Sequence, residues 1–283
     1  FVGLNIVCVE ATFKFSVAIT AVALAILVVF WIGAIPLFSM DLALNIDPVG
    51  DNSRFLPFGW SGVAQCLPFA IWFYLAIEQL PLAAEESHDP KRDMPRGLLW
   101  GILTLIIASL LTLFLNSGIP PGAAAVGQSD EPLFLGFKAI FGDGVGASLL
   151  ALLAVAGLIA SFHTIIYAYG RNIYSLSRAG YFPRWLSVTH NQRKTPHVAL
   201  IAGAVLGFLV ALLIEFGEQW FGQVPVGAVL LNMAVFGAVI AYVMQMIAFV
   251  LLRKNFPDME RPYVSPLGNA GAYLAAAIAL VTL

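Results

Sequence analysis

Apolar runs of about twenty residues recur along this chain, one after another, and they restrict it to one kind of fold. A helix crossing the roughly 30 Å hydrocarbon core of a bilayer needs about 20 mostly apolar residues. A sliding apolar window places such spans at 12–34, 59–84, 97–117, 146–169, 197–216 and 226–252, with an incomplete seventh from residue 267. Residues 1–11 read as the end of an earlier helix, and 132–141 as a short helix lying outside the membrane. The composition agrees: 60% of the 283 residues are hydrophobic and 11% are charged, whereas soluble domains carry about 25% charged residues. The expected fold class is all-α integral membrane, with short loops and no large soluble domain.

Basic residues test this layout, because short cytoplasmic loops collect Lys and Arg. If the chain crosses as predicted, Lys14, Lys91, Arg92, Arg96, Arg171, Arg178, Arg184, Arg193, Lys194, Arg253, Lys254 and Arg261 fall on one side. Only Arg54 and Lys138 fall on the other. A wrong span count would scramble that alternation. The loops near 85–96, 171–197 and 253–266 are therefore expected to be cytoplasmic, and 41–51, 116–131 and 215–218 external. The net charge of −2 comes with no concentrated basic stripe, so nucleic acid is not an expected partner. Cys8 and Cys66 lie far apart in apolar surroundings with no CxxC pair, so no metal site is expected and both read as buried free thiols. The chain starts at Phe1 without a Met or a signal peptide and stops within an apolar run, from which truncation at both ends is expected.

Nearly all acidic residues sit in loops or at span ends, but Glu78 lies inside the second span. An ionisable group at the centre of a lipid-embedded helix costs about 2.5–3.5 kcal/mol on insertion scales, so it normally faces a cavity or a partner. Pro68 and Pro81 flank it, and each removes a backbone donor, which predicts an interruption of the helix between them. Broken helices at mid-membrane expose backbone groups and helix-end dipoles that hold charged ligands. Trp72, Phe73 and Tyr74 stand beside the break, with ring faces suited to an ammonium group. The alternative is that Glu78 pairs with a group on a neighbouring helix while the aromatic rings pack or face lipid.

Other residues carry weaker signals. His163 and Tyr167, at i and i+4, share a helix face and would line a pathway, bond each other or simply pack. Asp143 in Gly142-Asp143-Gly144-Val145-Gly146 lacks the Lys-Ser/Thr ending of a phosphate loop and reads as a loop leading into a helix. Ser87-His88-Asp89 holds triad residue types, but neighbours in a turn cannot converge on one reacting atom. An integral-membrane enzyme would need convergent His, Asp or Cys residues at one depth, and no such set is evident, so the chain is not read as an enzyme.

Three segments together resemble the amino acid-polyamine-organocation permease superfamily. They are Trp72-Phe73-Tyr74-Leu75-Ala76-Ile77-Glu78 with the following Ala84-Glu85-Glu86-Ser87-His88-Asp89-Pro90-Lys91-Arg92-Asp93-Met94-Pro95-Arg96, then Arg171-Asn172-Ile173-Tyr174-Ser175-Leu176-Ser177-Arg178-Ala179-Gly180-Tyr181-Phe182-Pro183 running on to Thr195-Pro196-His197, and finally Arg261-Pro262-Tyr263-Val264-Ser265-Pro266-Leu267-Gly268. Val9-Glu10-Ala11-Thr12-Phe13-Lys14-Phe15-Ser16 is most similar to the ethanolamine permease group. The resemblance implies the leucine-transporter-like inverted-repeat fold, with this chain as its C-terminal portion, about helices five to eleven. Residues 1–58 would then hold the end of helix four, helix five and an external loop, residues 59–252 the second repeat, and residues 253–283 a cytoplasmic loop and part of helix eleven. It also implies a multi-pass protein of the plasma membrane, bacterial and inner.

Carried over by position, the family's unwound sixth-helix stretch falls on Trp72, Phe73, Tyr74, Leu75, Ala76 and Ile77, and its gating or proton-linked acid on Glu78. A pocket-lining aromatic of some relatives falls at about Ile165, which implies a smaller or differently shaped ligand. Ala76 replaces a glycine and permits less backbone freedom. Ala23 stands where several members carry a lysine, which leaves the coupling ion open between H⁺ and Na⁺. No cofactor is expected. The expected function is secondary transport of a small ammonium compound or amino acid, ethanolamine favoured, across the bilayer by alternating access. The alternatives are an amino acid exchanger of the same superfamily or a non-transporting membrane fragment. The sequence does not specify an oligomeric state.

Overall fold

In the computed structural model, which describes residues 1–7, 9–129, 131–221 and 226–282, the chain is helical almost throughout. Among the described residues eleven α-helices follow in order: α1 (Val2–Val7), α2 (Val9–Ala34), α3 (Met40–Ala43), α4 (Gly59–Tyr74), α5 (Pro90–Gly118), α6 (Ala123–Val126), α7 (Pro132–Phe141), α8 (Val145–Arg178), α9 (His197–Phe221), α10 (Val226–Asn255) and α11 (Gly268–Thr282). A 3₁₀ segment, Ile77–Glu86, follows α4. Among the described residues, six stretches are long and apolar enough to cross a membrane: Glu10–Leu37, Gly59–Glu86, Pro90–Gly118, Ser148–Arg178, His197–Gly217 and Val226–Asn255. They coincide with the six complete spans read from the sequence. The seventh, α11, has 15 residues. Helix α7 forms where a short helix was expected.

Such helices are apolar on all sides because lipid-facing and protein-facing positions alike exclude charge, and their backbone groups are satisfied within each segment. The exposed faces bear this out: Val17, Leu110, Leu158, Leu206 and Met233 are large, apolar and more than half exposed. Cys66, expected to be buried, instead lies exposed on α4. Apolar neighbours do not distinguish a lipid-facing position from a core position, which is why the expectation failed. Cys8 lies outside the described residues.

The chain divides into two compact units. The first comprises 1–47 and 107–212, the second 48–106 and 213–283. In the first, α2 packs against α7 and α8 around Ile26, Phe30, Ala34, Leu115, Ile119 and Phe137. Phe30 and Phe137, both fully buried, meet edge to face with centroids 5.4 Å apart. Three polar side chains of this unit bond to partners on other segments, as membrane packing favours. Trp31 Nε1 donates to Thr112 Oγ1 at 3.0 Å, Tyr169 Oη to the Leu200 carbonyl at 3.0 Å, and Asn116 Nδ2 to the Pro132 carbonyl at 3.0 Å. Gly136 lies against Asn116 and the Phe30 ring so closely that a Cβ there would overlap both.

In the second unit, α10 packs against α4 and α11 through Val235, Val239 and Ala279, with Ile71, Leu231 and Tyr242 around them.

Two expected loops are partly helical. Helix α5 continues to Gly118 and takes in Asn116, and α9 runs to Phe221, through 215–218. Charged and amide residues mark where a span leaves the apolar layer, and a helix continues beyond that point whenever its residues are good helix formers, as Glu is. The 87–89 turn is structural. Ser87 Oγ donates to Asp93 Oδ2 at 2.8 Å, and the Asp89 amide to the same oxygen at 3.3 Å, closing the start of α5. The loop at 142–144 leads into α8, with Asp143 paired to Lys138 at 3.4 Å.

Candidate functional site

The second span is broken, and the break lies between the two prolines. Pro68 is accommodated inside α4, which ends at Tyr74. Leu75 is extended (φ −69°, ψ 152°), and Ala76 turns into the left-handed region (φ 76°, ψ −3°). From Ile77 the backbone resumes as a 3₁₀ helix that contains Pro81. The unwound part is thus Leu75 and Ala76 rather than the whole of 72–77 that the resemblance implied. Trp72, Phe73 and Tyr74 form the last turn of α4, and Ile77 opens the next segment. A β-carbon in the left-handed conformation costs about 1–2 kcal/mol, so the corner is held by its surroundings.

Those surroundings are the adjoining segments. The Leu75 amide bonds the Trp72 carbonyl at 3.4 Å and the Gln79 amide bonds the Ala76 carbonyl at 3.1 Å, which closes the turn on either side. On α5, Gly97 and Gly101 give the 3₁₀ segment room. A Cβ at Gly97 would come within 2.9 Å of Leu80 Cδ2, and one at Gly101 within 3.0 Å of Ile77 Cδ1. This is the small-residue spacing by which membrane helices approach closely.

Glu78 lies in the first turn of the 3₁₀ segment, half-buried. Tyr242 of α10 donates its hydroxyl to Glu78 Oε2 at 3.1 Å. The sequence reading missed Tyr242. The available signal was a hydroxyl in the middle of an apolar span, where it needs an acceptor. The broken helix is therefore tied to α10 by one hydrogen bond to a carboxylate. Trp72 and Phe73 present exposed ring surface (45% and 41%) beside the break.

His163, Ile165 and Tyr167 belong to the other unit, on α8. His163 is fully buried, with Nδ1 accepting from Asn5 Nδ2 at 3.3 Å and its ring edge-on to Phe15 and Phe1 at 5.0 and 5.8 Å. Tyr167 packs on Phe13 at 5.4 Å and lies under the Arg171 guanidinium at 4.8 Å. Both rings thus face the segment 1–15, as the i, i+4 spacing requires. Ile165 points elsewhere and is 44% exposed. Among the described residues, no group of three or more His, Cys, Asp or Glu side chains is placed to hold a metal ion.

Six apolar helices of crossing length, one of them interrupted beside a carboxylate, make this a multi-pass membrane protein built as helical transporters are. The profile of the amino acid permease family matches residues 1–283, and the chain belongs to that family, whose members are transporters rather than enzymes. It is 33% identical over 272 residues to an uncharacterized transporter of Rhizobium meliloti (strain 1021), covering 93% of this chain and 54% of that protein. It is similar to the branched-chain amino acid permease BcaP of Bacillus subtilis (strain 168), at 27% over 241 residues, 85% of this chain and 49% of that protein. It is also similar to the methylthioribose transporter of the same strain, at 24% over 277 residues, 96% of this chain and 54% of that protein. The chain spans about half the length of these relatives.

Proposed function

We propose that the intact protein is a secondary transporter of a small amine or amino acid, and that the ligand binds at the interruption of the second span. The observation that carries this is the corner at Leu75 and Ala76 with Glu78 two residues beyond it. Helix α4 ends there with its last carbonyls directed at the gap, and the negative end of a helix dipole favours an ammonium group. The 3₁₀ segment begins there, and the positive end of a helix dipole favours a carboxylate. Trp72, Phe73 and Tyr74 shield the ligand, Leu75, Ala76 and Ile77 offer backbone groups, and Glu78 responds to its charge while held by Tyr242. Ile165, His163 and Tyr167, which lie in the first unit, enter this reading from the family resemblance alone. The basic loops are cytoplasmic, and the coupling ion is H⁺ or Na⁺.

The substrate is the finer part of the proposal. Ethanolamine rests on the similarity of 9–16 to ethanolamine permeases, whereas the relatives' names speak for a branched-chain amino acid and for methylthioribose. The test is uptake of radiolabelled ethanolamine, leucine and methylthioribose by the full-length protein in proteoliposomes, with and without Glu78→Gln. Uptake of one substrate that depends on Glu78 is the expected result. Transport unchanged by Glu78→Gln removes the role given to that carboxylate, and uptake of leucine but not ethanolamine moves the protein to the amino acid branch.

A further inference from the structure

In the second unit, the start of α5, the end of α10 and the loop after α10 enclose a cleft of about 390 Å³. A neighbouring cleft of about 470 Å³ shares Arg253, Met259 and Arg261 with it. Three cations line the first cleft, Lys91, Arg253 and Arg261, against one carboxylate, Glu260. Lys91 reaches Glu260 at 3.3 Å. Arg261 is spent on the loop: it donates to the carbonyls of Phe256, Pro257 and Met259 at 2.7, 3.0 and 3.0 Å, and so fixes the cleft's rim. Arg253 differs from both. Its guanidinium lies 4.5 Å over the Phe249 ring, and its Nε is buried without a hydrogen-bond partner. Among the described residues no carboxylate pairs with the Arg253 guanidinium, so its charge is left for an anion that enters the cleft. Asp89, Asp93 and Asp258 lie on the same segments but do not line the cleft, and Asp93 is engaged by Ser87 and the Asp89 amide.

The other walls are apolar: Met94, Phe249, Leu252 and Met259. Leu252, Met259 and Tyr263 are each more than 40% exposed, an amphipathic rim suited to headgroup depth. Cationic pockets between helix ends at this depth suit acidic headgroups. We propose that this cleft binds the phosphate of an anionic phospholipid from the adjacent leaflet, with Arg253 as the principal donor, Lys91 as the second cation and the apolar wall taking the upper acyl chains. A free phosphate would make no use of that wall, so charge and surface together select the lipid.

The experiment is native mass spectrometry of the intact protein in detergent with phosphatidylglycerol or phosphatidylcholine added, repeated with millimolar inorganic phosphate. Retained phosphatidylglycerol should exceed phosphatidylcholine. A basic residue near a membrane surface contributes about 1 kcal/mol to binding an acidic lipid, so Arg253→Gln should lower phosphatidylglycerol retention about fivefold. Arg253→Lys should keep most of it, and Lys254→Gln, one residue away and outside the cleft, should keep all of it. If Arg253→Gln does not fold, Lys91→Gln, at an exposed position, should shift retention in the same direction. Equal retention of the two lipids, or equal loss in Lys254→Gln and Arg253→Gln, overturns the site. Displacement of phosphatidylglycerol by inorganic phosphate overturns the lipid and leaves an anion site.

Discussion

Replacing Tyr242 by Phe removes one oxygen and leaves the ring in place among Ile71, Val235 and Val239, so its effect isolates the bond to Glu78. Hydrogen bonds to ionised groups contribute about 1.5–3 kcal/mol when buried and short. This one is 3.1 Å long, beyond the roughly 2.5–2.7 Å of strong hydroxyl–carboxylate bonds, and Glu78 is only half-buried. Both facts put it at the low end, about 1–1.5 kcal/mol, or roughly a tenfold change in the folding equilibrium. The assay is reversible unfolding in mixed micelles of the wild type, Tyr242→Phe, Glu78→Ala and the double variant. The cycle should return a coupling of about 1 kcal/mol. If the two losses add to within about 0.3 kcal/mol, the carboxylate and the hydroxyl are not partners, and the tie between the broken helix and α10 does not exist.

At the corner, Ala76→Gly should leave stability nearly unchanged or raise it by up to about 0.5 kcal/mol, because relief of the left-handed strain is offset by the added freedom of the unfolded chain. Ala76→Val should destabilise by about 1–2 kcal/mol, since a β-branched residue at positive φ is a true outlier. Equal melting temperatures for Ala and Val would contradict a left-handed residue 76. In the first unit, Gly136→Ala should cost about 1–3 kcal/mol, because the new methyl overlaps Asn116 and Phe30 in a filled core; unchanged thermal unfolding would mean that the α5–α7 contact is looser than it is drawn.

The spans were legible because apolar length is a local property, and each window of the sequence carries it independently. The existence of a break near Glu78 was legible for the same reason, from two prolines and a charge in one span. Its place was not. Pro68 sits inside α4 without ending it, and the turn falls at an alanine, a residue whose own preference is for the right-handed helix. Only the tertiary setting, including the room that Gly97 and Gly101 leave on α5, puts it there. Tyr242 lies 164 residues from Glu78 in sequence, a distance no local pattern bridges. Cys66 shows the opposite failure, in which a local pattern was read as burial although lipid and protein interiors select the same apolar neighbours.

A methyl group at residue 76 also decides where motion can start. Alanine with φ at 76° occupies a narrow well, and a glycine there would wander through several. Leu75, one position earlier, has a backbone conformation that any residue visits and leaves freely. Straightening or tightening of this span would therefore pivot on the leucine, with the alanine serving as the stop against which it turns.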